Sequence, residues 1–220
     1  RFLADDTIFE TTTFEYEVIK HRLRELAFLN KGLSYGGAIY AVSHQHDTYL
    51  TNCLFINNSA YYGGAVFING GLLQAIGCNF MNNTALGYGG AIACENQYGS
   101  KSRFRIINSI FDGDKSVNNL GGAIFAQSCD FIAVNITISN SKAQSGAAIA
   151  LIKSTTELNV LTIQDSIASN EGGAIFAIYG NLTVDKSYFN NNGAGYGSAI
   201  FANELESLVL TRNLFENNHA

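Results

Sequence analysis

The sequence contains no proline and no tryptophan, and only 14% of its 220 residues are charged. Few charges and a hydrophobic fraction of 47% argue against a disordered chain, which has the opposite composition. Apolar runs stop short of the roughly 18 residues that a membrane-spanning helix requires, so no membrane span is expected. The formal net charge of −5 provides no basic surface, and nucleic acid is therefore not an expected partner.

Glycine is abundant, with 22 residues, and much of it lies in a small-residue motif that recurs along the chain. The motif reads Gly-Gly-Ala-Ile or a close variant, and its copies are usually 25–27 residues apart. One interval of 32 residues contains the polar segment 95–103, which is predicted to bulge as a loop. The copies begin at Gly36, Gly63, Gly89, Gly121, Gly146, Gly172 and Gly197.

A second series of residues keeps the same period. It consists of large apolar residues, and where the match is best an asparagine follows three positions later, as in Asn58, Asn83, Asn192 and Asn218. Two series with one period indicate a structural repeat. The apolar residues are Phe28, Phe55, Phe80, Phe111, Ile138, Ile163, Phe189 and Phe215.

A period of this length suits one coil of a parallel β-helix built from three short strands. Apolar segments such as 72–76 and 158–163 are strand-like, and the Leu-x-x-Leu-x-Leu string of a leucine-rich repeat is absent. We therefore predict an all-β, right-handed parallel β-helix of about 7–8 coils. Stacking would place Ile39, Val66 and Ile92 in one inward column, and the asparagines in a ladder of side-chain amides.

The repeat defines the predicted domain organisation. Residues 27–220 form the β-helix, whereas residues 1–26 fit the repeat poorly and are either a degenerate first coil or a capping segment. The sequence begins with Arg1 and stops just before the next Gly-Gly pair is due. We expect the chain to be a fragment of a longer solenoid.

The segments CLFINNSAYYGGAVF, CNFMNNTALGYGGAIAC and YFNNNGAGYGSAIFA resemble the Phe-x-x-Asn and Gly-Gly-Ala-Ile repeats of polymorphic outer-membrane proteins. Those proteins are chlamydial autotransporter passengers, and the resemblance covers most of residues 27–220. It implies a pectin-lyase-like β-helix exposed at the cell surface, with an adhesive or structural role. It carries over no catalytic residues and no cofactor.

Four cysteines are present, and no Cys-x-x-Cys motif occurs among them. Cys53 and Cys78 each precede a repeat phenylalanine by two residues, so stacking would bring their Cα atoms to about 5 Å, within disulfide range. The alternative is a pair of buried free thiols. The pairing of Cys94 and Cys129 is left open.

Four Asn-x-Ser/Thr sequons occur, at Asn57, Asn82, Asn135 and Asn181. They could carry glycans in a eukaryotic secretory pathway. Asn57 and Asn82 also arise directly from the repeat, so an asparagine-rich turn could generate them without any glycan.

Tyrosines precede the glycine pair at Tyr35, Tyr62 and Tyr88, with Tyr196 further along the chain. An exposed tyrosine column could bind sugar rings or a protein partner. The alternative is stacking that only stabilises the edge of the turn. A second aromatic series follows the inward isoleucine and could point outward to cover a docking face. It comprises Tyr40, Phe67, Phe125, Phe176 and Phe201.

Two short segments are candidate metal sites. His44 and His46 could form a metal clip beside Asp47, but no third ligand is identifiable in the sequence and a solvated loop is favoured. Asp112, Asp114 and Asn118 resemble a calcium loop that lacks its bidentate glutamate. No metal or other cofactor is therefore predicted.

Carboxylates are scattered and do not recur with the repeat, as a built-in catalytic pair would. The prediction is a non-enzymatic, extracellular or cell-surface β-helix that acts as a scaffold, adhesin or assembly component. A protein partner or larger assembly is expected, and a glycan is a further candidate ligand. The alternative is a carbohydrate-binding or carbohydrate-cleaving β-helix of the pectate-lyase type.

Overall fold

The computed structural model describes residues 34–42, 47–96 and 102–220. These residues form 24 strands, numbered β1 to β24 along the chain, and they contain no helix. Every strand pair is parallel, and successive coils contribute to three long sheets, which we call A, B and C. The predicted parallel β-helix is confirmed. No helix in the described ranges is able to cross a membrane.

Sheet A contains one strand from each of seven coils, and each strand starts at the end of a Gly-Gly-Ala-Ile motif. We number the coils 1 to 7 by these strands, because each follows one copy of the motif. The strands are β1 (Ile39–Val42), β5 (Val66–Asn69), β9 (Ile92–Glu95), β13 (Ile124–Gln127), β16 (Ile149–Ile152), β19 (Ile175–Ile178) and β22 (Ile200–Asn203).

Sheet B has twelve strands, because most coils cross it as two short strands separated by a bend, while β14 and β17 run through unbroken. Its strands are β2 (Thr48–Thr51), β3 (Leu54–Ile56), β6 (Leu72–Ile76), β7 (Asn79–Met81), β10 (Ser102–Ile107), β11 (Ile110–Asp112), β14 (Cys129–Ser139), β17 (Thr155–Gln164), β20 (Asn181–Asp185), β21 (Tyr188–Asn190), β23 (Ser207–Thr211) and β24 (Leu214–Glu216). Sheet C comprises β4 (Ser59–Ala60), β8 (Thr84–Ala85), β12 (Lys115–Ser116), β15 (Lys142–Ser145) and β18 (Ile167–Glu171).

The core consists of columns in which similar side chains from successive coils stack on each other. Ile39 pairs with Val66, Val66 with Ile92, and the same register continues to Ile200 across sheet A. In sheet B the rings of Phe55 and Phe80 stack with centroids 4.8 Å apart. Both predicted columns therefore lie inside the solenoid, where burial of apolar area supplies the main stabilisation.

The coil bends at residues whose backbone is in the left-handed region, and these residues also stack from coil to coil. At the bend inside sheet B, asparagine and glycine give way to Val160, Lys186 and Arg212 in the later coils. Residues other than glycine, asparagine and aspartate rarely adopt this conformation, so contacts with the neighbouring coils must hold Val160, Lys186 and Arg212 in it. The full column is Asn52, Gly77, Asn108, Asn135, Val160, Lys186 and Arg212.

Five of the seven motif copies begin with two glycines, and these have different roles, which Gly89 and Gly90 illustrate. Gly89 has a φ of +66°, a conformation that favours glycine. A Cβ atom on Gly90 would overlap the carbonyl oxygen of Gly122 in the next coil. The first glycine therefore makes the turn, and the second lets neighbouring coils approach.

The outward aromatic series forms a second apolar cluster, separate from the interior core. Phe67 and Phe125 are buried in this cluster, whereas Tyr40 at its edge is exposed. The ring of Tyr88 stacks on that of Phe125 at 4.6 Å. The series is thus partly covered by the protein's own side chains. The predicted first segment, residues 1–26, lies outside the described residues, as does most of the predicted loop at 95–103.

Candidate functional site

A ladder of polar side chains follows the bend between sheets B and C. Asn58 donates its backbone and side-chain N–H groups to Oδ1 of Asn83, at 3.0 and 2.9 Å. Asn83 also donates to the carbonyl oxygen of Phe55. Asn192 repeats the pattern with Oδ1 of Asn218 and with a main-chain carbonyl. The predicted amide ladder is present, and it satisfies backbone groups that a buried bend would otherwise leave unpaired.

Asp114 occupies the ladder position above Asn83, where the repeat predicts asparagine. Its Oδ1 accepts both N–H groups of Asn83, while its Oδ2 is buried without a hydrogen-bond partner. Burial is the main reason that the pKa of this carboxyl rises to about 7, although the Asn83 hydrogen bonds lower it. Sequence reasoning read Asp114 as a candidate calcium ligand and missed that it replaces a ladder asparagine.

The other residues of that candidate calcium loop do not converge with Asp114. Oδ1 of Asp112 accepts hydrogen bonds from Ser139 and Asn140 of the next coil, at 2.7 Å each. Asn118 is exposed. The two carboxylates are therefore used in contacts between coils.

Cys53 and Cys78 lie in register on neighbouring coils, as predicted, and all four cysteines are free thiols. The thiol of Cys78 donates to the carbonyl oxygen of Ile76, and Ser109 at the same position of the next coil makes the equivalent contact with Ile107. The two cysteines thus fill a position that serine fills elsewhere in the column. Their disulfide stays a prediction.

Cys94 and Cys129 lie on opposite sides of the corner between sheets A and B, in coils 3 and 4. Their Sγ atoms are 3.0 Å apart, and both side chains are inaccessible to solvent. The contact with Cys129 and burial raise the pKa of the Cys94 thiol well above its ordinary value. This pair could not be found from spacing, because the two residues belong to different columns.

The structure brings together three of the four tyrosines proposed as a binding surface. Tyr62 lies between Tyr35 and Tyr88, with ring centroids at 5.2 and 5.4 Å. Tyr62 and Tyr88 are half-buried, and burial raises the pKa of the Tyr62 hydroxyl. Tyr62 and Tyr88 contact other aromatic rings of the chain, whereas Tyr35 is 41% exposed. The binding surface stays a prediction.

Tyr196 shares the tyrosine column but lies four coils away from Tyr88. Leu120, Ser145 and Glu171 occupy the intervening positions. At a strand spacing of about 4.8 Å, the separation is roughly 19 Å. Tyr196 is 71% exposed, so it forms a single aromatic site near the end of the stack.

The four sequon asparagines lie at different parts of the coil surface. Asn57, Asn82 and Asn135 are exposed at bends and have positive φ angles. Asn181 begins β20, and its side-chain amide donates to Oε2 of Glu206 at 3.1 Å. Glycosylation of these sites stays a prediction.

A shallow groove lies beside Asn181, where coils 5, 6 and 7 turn from sheet A into sheet B. Its rim carries the phenol ring of Tyr179, which is 46% exposed, and the carboxylates of Glu204 and Glu206. Lys153 provides a positive charge at the same rim. The groove therefore combines one exposed aromatic ring with several polar groups.

The candidate histidine clip is only partly described, because His44 and His46 lie outside the described residues. Asp47 accepts a hydrogen bond from the Tyr49 hydroxyl at 3.1 Å and lies 3.8 Å from the Arg103 guanidinium. In the described part of the chain, no three His, Cys, Asp or Glu side chains form a group that could hold a metal ion.

The segment from the sheet B bend of coil 2 to the first strand of coil 3 contains one bend, one inward phenylalanine, one ladder asparagine and one glycine pair, in that order. It runs from the left-handed Gly77 through Phe80 and Asn83 to the glycine pair and β9. The family model described as the Chlamydia polymorphic membrane protein repeat matches residues 77–95. Residues 77–95 therefore match one polymorphic membrane protein repeat. This repeat and the parallel β-helix together indicate a surface or structural β-helix protein.

Other similarities are short. A segment of 33 residues is 61% identical to a DNA gyrase subunit from Cytophaga hutchinsonii, and covers 15% of this chain and 7% of that protein. A segment of 34 residues is 56% identical to the corresponding gyrase subunit from Mycobacterium tuberculosis, and covers 16% and 5%. The chain thus spans a small fraction of these relatives. No solved structure matches the chain.

Proposed function

We propose that this chain is a rigid, non-catalytic scaffold exposed at the cell surface, where it holds other parts of a larger protein or assembly at a fixed distance. The observation that carries the proposal is the unbroken register of sheet A, in which one inward residue per coil stacks over all seven coils. Such a stack gains length with each coil while every coil contacts only its neighbours.

The outer face of sheet B supports a scaffold more than an enzyme. One outward column crosses the sheet with a different chemical type at almost every coil, so it offers no repeated charge to hold an extended ionic polymer. This column contains Tyr49, Gln74, Arg105, Ile132, Glu157, Thr183 and Val209. The similarity to DNA gyrase covers too little of those proteins to suggest their activity here.

The surface location rests on the polymorphic membrane protein repeat. Antibodies raised against the chain should label intact cells of the source organism, and added protease should remove the labelled protein without lysis. Labelling only after permeabilisation would contradict the surface location. Recovery of the protein within a larger complex would support the assembly role, whereas recovery only as an isolated chain would oppose it.

The non-catalytic character is tested with acidic and neutral polysaccharides. We expect the purified chain to release no more reducing ends or unsaturated products than a Glu204→Gln/Glu206→Gln variant, because a scaffold uses these carboxylates for no chemistry. Turnover that this double substitution abolishes would identify the groove as an active site and would overturn the proposal.

Carbohydrate binding without cleavage is the second candidate, and the groove beside Asn181 favours it. The exposed ring of Tyr179 could stack on a sugar while Lys153 and Glu206 donate and accept hydrogen bonds. Tyr179→Ala should then reduce retention on an immobilised polysaccharide. Tyr196→Ala is the matched control, because it removes an exposed tyrosine outside the groove. Equal retention of all three proteins would reject binding at the groove.

A further inference from the structure

Two buried thiols meet at the corner between sheets A and B. Cys94 lies in β9 of coil 3, and Cys129 begins β14 of coil 4, so a bond between them would join consecutive coils. Their sulfur atoms are 3.0 Å apart, closer than sulfur atoms in ordinary non-bonded contact, and Cys129 also contacts the carbonyl oxygen of Cys94. We propose that Cys94 and Cys129 form a disulfide that staples coil 3 to coil 4 across the 32-residue repeat interval.

The geometry favours this pair over Cys53 and Cys78. Cys53 and Cys78 lie in register immediately before the parallel strands β3 and β7, where equivalent positions of neighbouring coils are about 4.8 Å apart. A disulfide requires Cβ atoms about 3.8 Å apart on average. Cys94 and Cys129 approach from two different sheets, and their side chains converge.

The neighbouring coils have residues other than cysteine at both positions. Ile68 and Ala126 pair with Cys94 in sheet A, and Ser102 pairs with Cys129 in sheet B. Ser154, at the next position of the latter column, accepts the backbone N–H of Cys129. Isoleucine and alanine therefore fill the first position in adjacent coils, and serine fills the second. Cysteine takes these two positions in the pair of coils in which the two sulfur atoms are in contact.

The oxidation requires a low-molecular-weight disulfide such as oxidised glutathione. One cysteine thiolate attacks it, forms a mixed disulfide and releases one glutathione thiolate. The second cysteine thiolate attacks the protein sulfur of that mixed disulfide and releases the second thiolate. The chain loses two protons and two electrons, and the oxidant becomes two thiols after taking up both.

Burial determines when this reaction takes place. In the stacked coils both thiols are inaccessible, and the pKa of Cys94 is raised, so little thiolate is present at neutral pH. The bond should therefore form while the coils assemble, and afterwards it should resist reductants. The disulfide depends on the proposed surface location only for its supply of oxidant, and a test in vitro with added oxidant separates the two.

The full chain is refolded from denaturant in a buffer of oxidised and reduced glutathione, blocked with iodoacetamide and digested with trypsin and chymotrypsin. Cleavage near Phe80 and Tyr88 separates Cys94 from the two earlier cysteines. We expect a cross-linked peptide that contains Cys94 and Cys129, and alkylation of Cys53 and Cys78. A link between Cys53 and Cys78 alone, or four alkylated cysteines, would overturn the proposal.

The matched variant is Cys94→Ala/Cys129→Ser, which installs the residues of the neighbouring coils. The oxidised parent should have a higher Tm than this variant, and reduction of the parent in denaturant before refolding without oxidant should remove the difference. Cys53→Ala/Cys78→Ser is the control and should keep the cross-link. Loss of the cross-link in this control would contradict the assigned pairing.

Discussion

The backbone and side-chain N–H groups of Asn83 both donate to one oxygen of Asp114, at 2.8 and 2.9 Å. Asn83 in turn accepts from Asn58, so the three residues form consecutive rungs of the polar ladder. Each rung satisfies the main chain of the coil before it. The ladder therefore couples the conformation of each bend to that of its neighbour, as the apolar columns do inside the solenoid.

Removal of a ladder asparagine should destabilise the stack. Asn83→Ala leaves the Asn58 N–H, the Phe55 carbonyl and Asp114 without their partner in a buried site. We expect the free energy of unfolding to fall by roughly 2–4 kcal/mol, measured by urea denaturation. Asn79→Ala changes an exposed asparagine of the same coil and should cost no more than about 0.5 kcal/mol. Equal effects would contradict a structural role for the ladder.

Asp114 should make stability depend on pH. Its folded pKa of about 7 lies above the ordinary value of 3.8, so its favourable contribution is complete below pH 3.8 and is lost as the pH rises to about 7. The total loss should be roughly 4 kcal/mol. Asp114→Asn cannot ionise, and its amide could donate where Oδ2 has no partner.

Urea denaturation between pH 4 and pH 8 checks this difference, with the parent and Asp114→Asn measured in parallel. We expect the free energy of unfolding of the variant to rise relative to that of the parent as the pH rises. At pH 8 the variant should be the more stable protein. Parallel profiles would show that Asp114 does not titrate in this range.

The close approach of coils at the second motif glycine can be tested with a single methyl group. In Gly90→Ala the new Cβ would overlap the Gly122 carbonyl oxygen and the Lys115 backbone nitrogen. We expect the free energy of unfolding to fall by about 1–3 kcal/mol. Gly195→Ala is the control, because its Cβ would lie 3.1 Å from its nearest neighbour, the Asn170 carbonyl oxygen. If Gly195→Ala were destabilised and Gly90→Ala were as stable as the parent, the close approach of the coils at Gly90 would be refuted.

Val160 should be replaceable with a gain in stability. It has a φ of 57° in a column where earlier coils have asparagine or glycine, and its side chain is 43% exposed. A β-branched residue is strained in this region, whereas asparagine is tolerated. Val160→Asn should raise the free energy of unfolding by about 1 kcal/mol, visible as a higher Tm. A lower Tm would indicate that Val160 contributes more through packing than it loses through backbone strain.

The repeat period was sufficient to predict the apolar columns, because Ile39 and its successors recur at nearly constant intervals and must stack if the coils do. The ladder asparagines followed from the same periodicity. The left-handed bends could not be predicted from the periodicity. Val160 and Lys186 give no local signal for left-handed backbone, and the coils on either side hold them in that conformation.

The candidate sites were harder to predict than the fold. The shared column of Tyr35, Tyr62 and Tyr88 was predicted, but the contacts of Tyr35 with Phe67 and of Tyr88 with Phe125 depend on side-chain packing that spacing does not specify. Cys94 and Cys129 belong to different columns and meet only because the chain turns a corner between them. The groove at Tyr179 likewise depends on how three coils turn together.

If whole coils are the stacking unit, one coil can be deleted without disturbing the rest of the solenoid. Removal of the 26 residues 146–171 joins Ser145 to Gly172 and leaves every column in register. Removal of the 13 residues 146–158 deletes half a coil and shifts inward residues to the wrong face.

Circular dichroism melting and small-angle X-ray scattering of both variants provide the decisive measurement. The whole-coil variant should unfold cooperatively, and its longest dimension should shorten by about 4.8 Å, one strand spacing. The half-coil variant should aggregate or melt far below the parent. A half-coil variant as stable as the whole-coil variant would show that the coils do not stack as units.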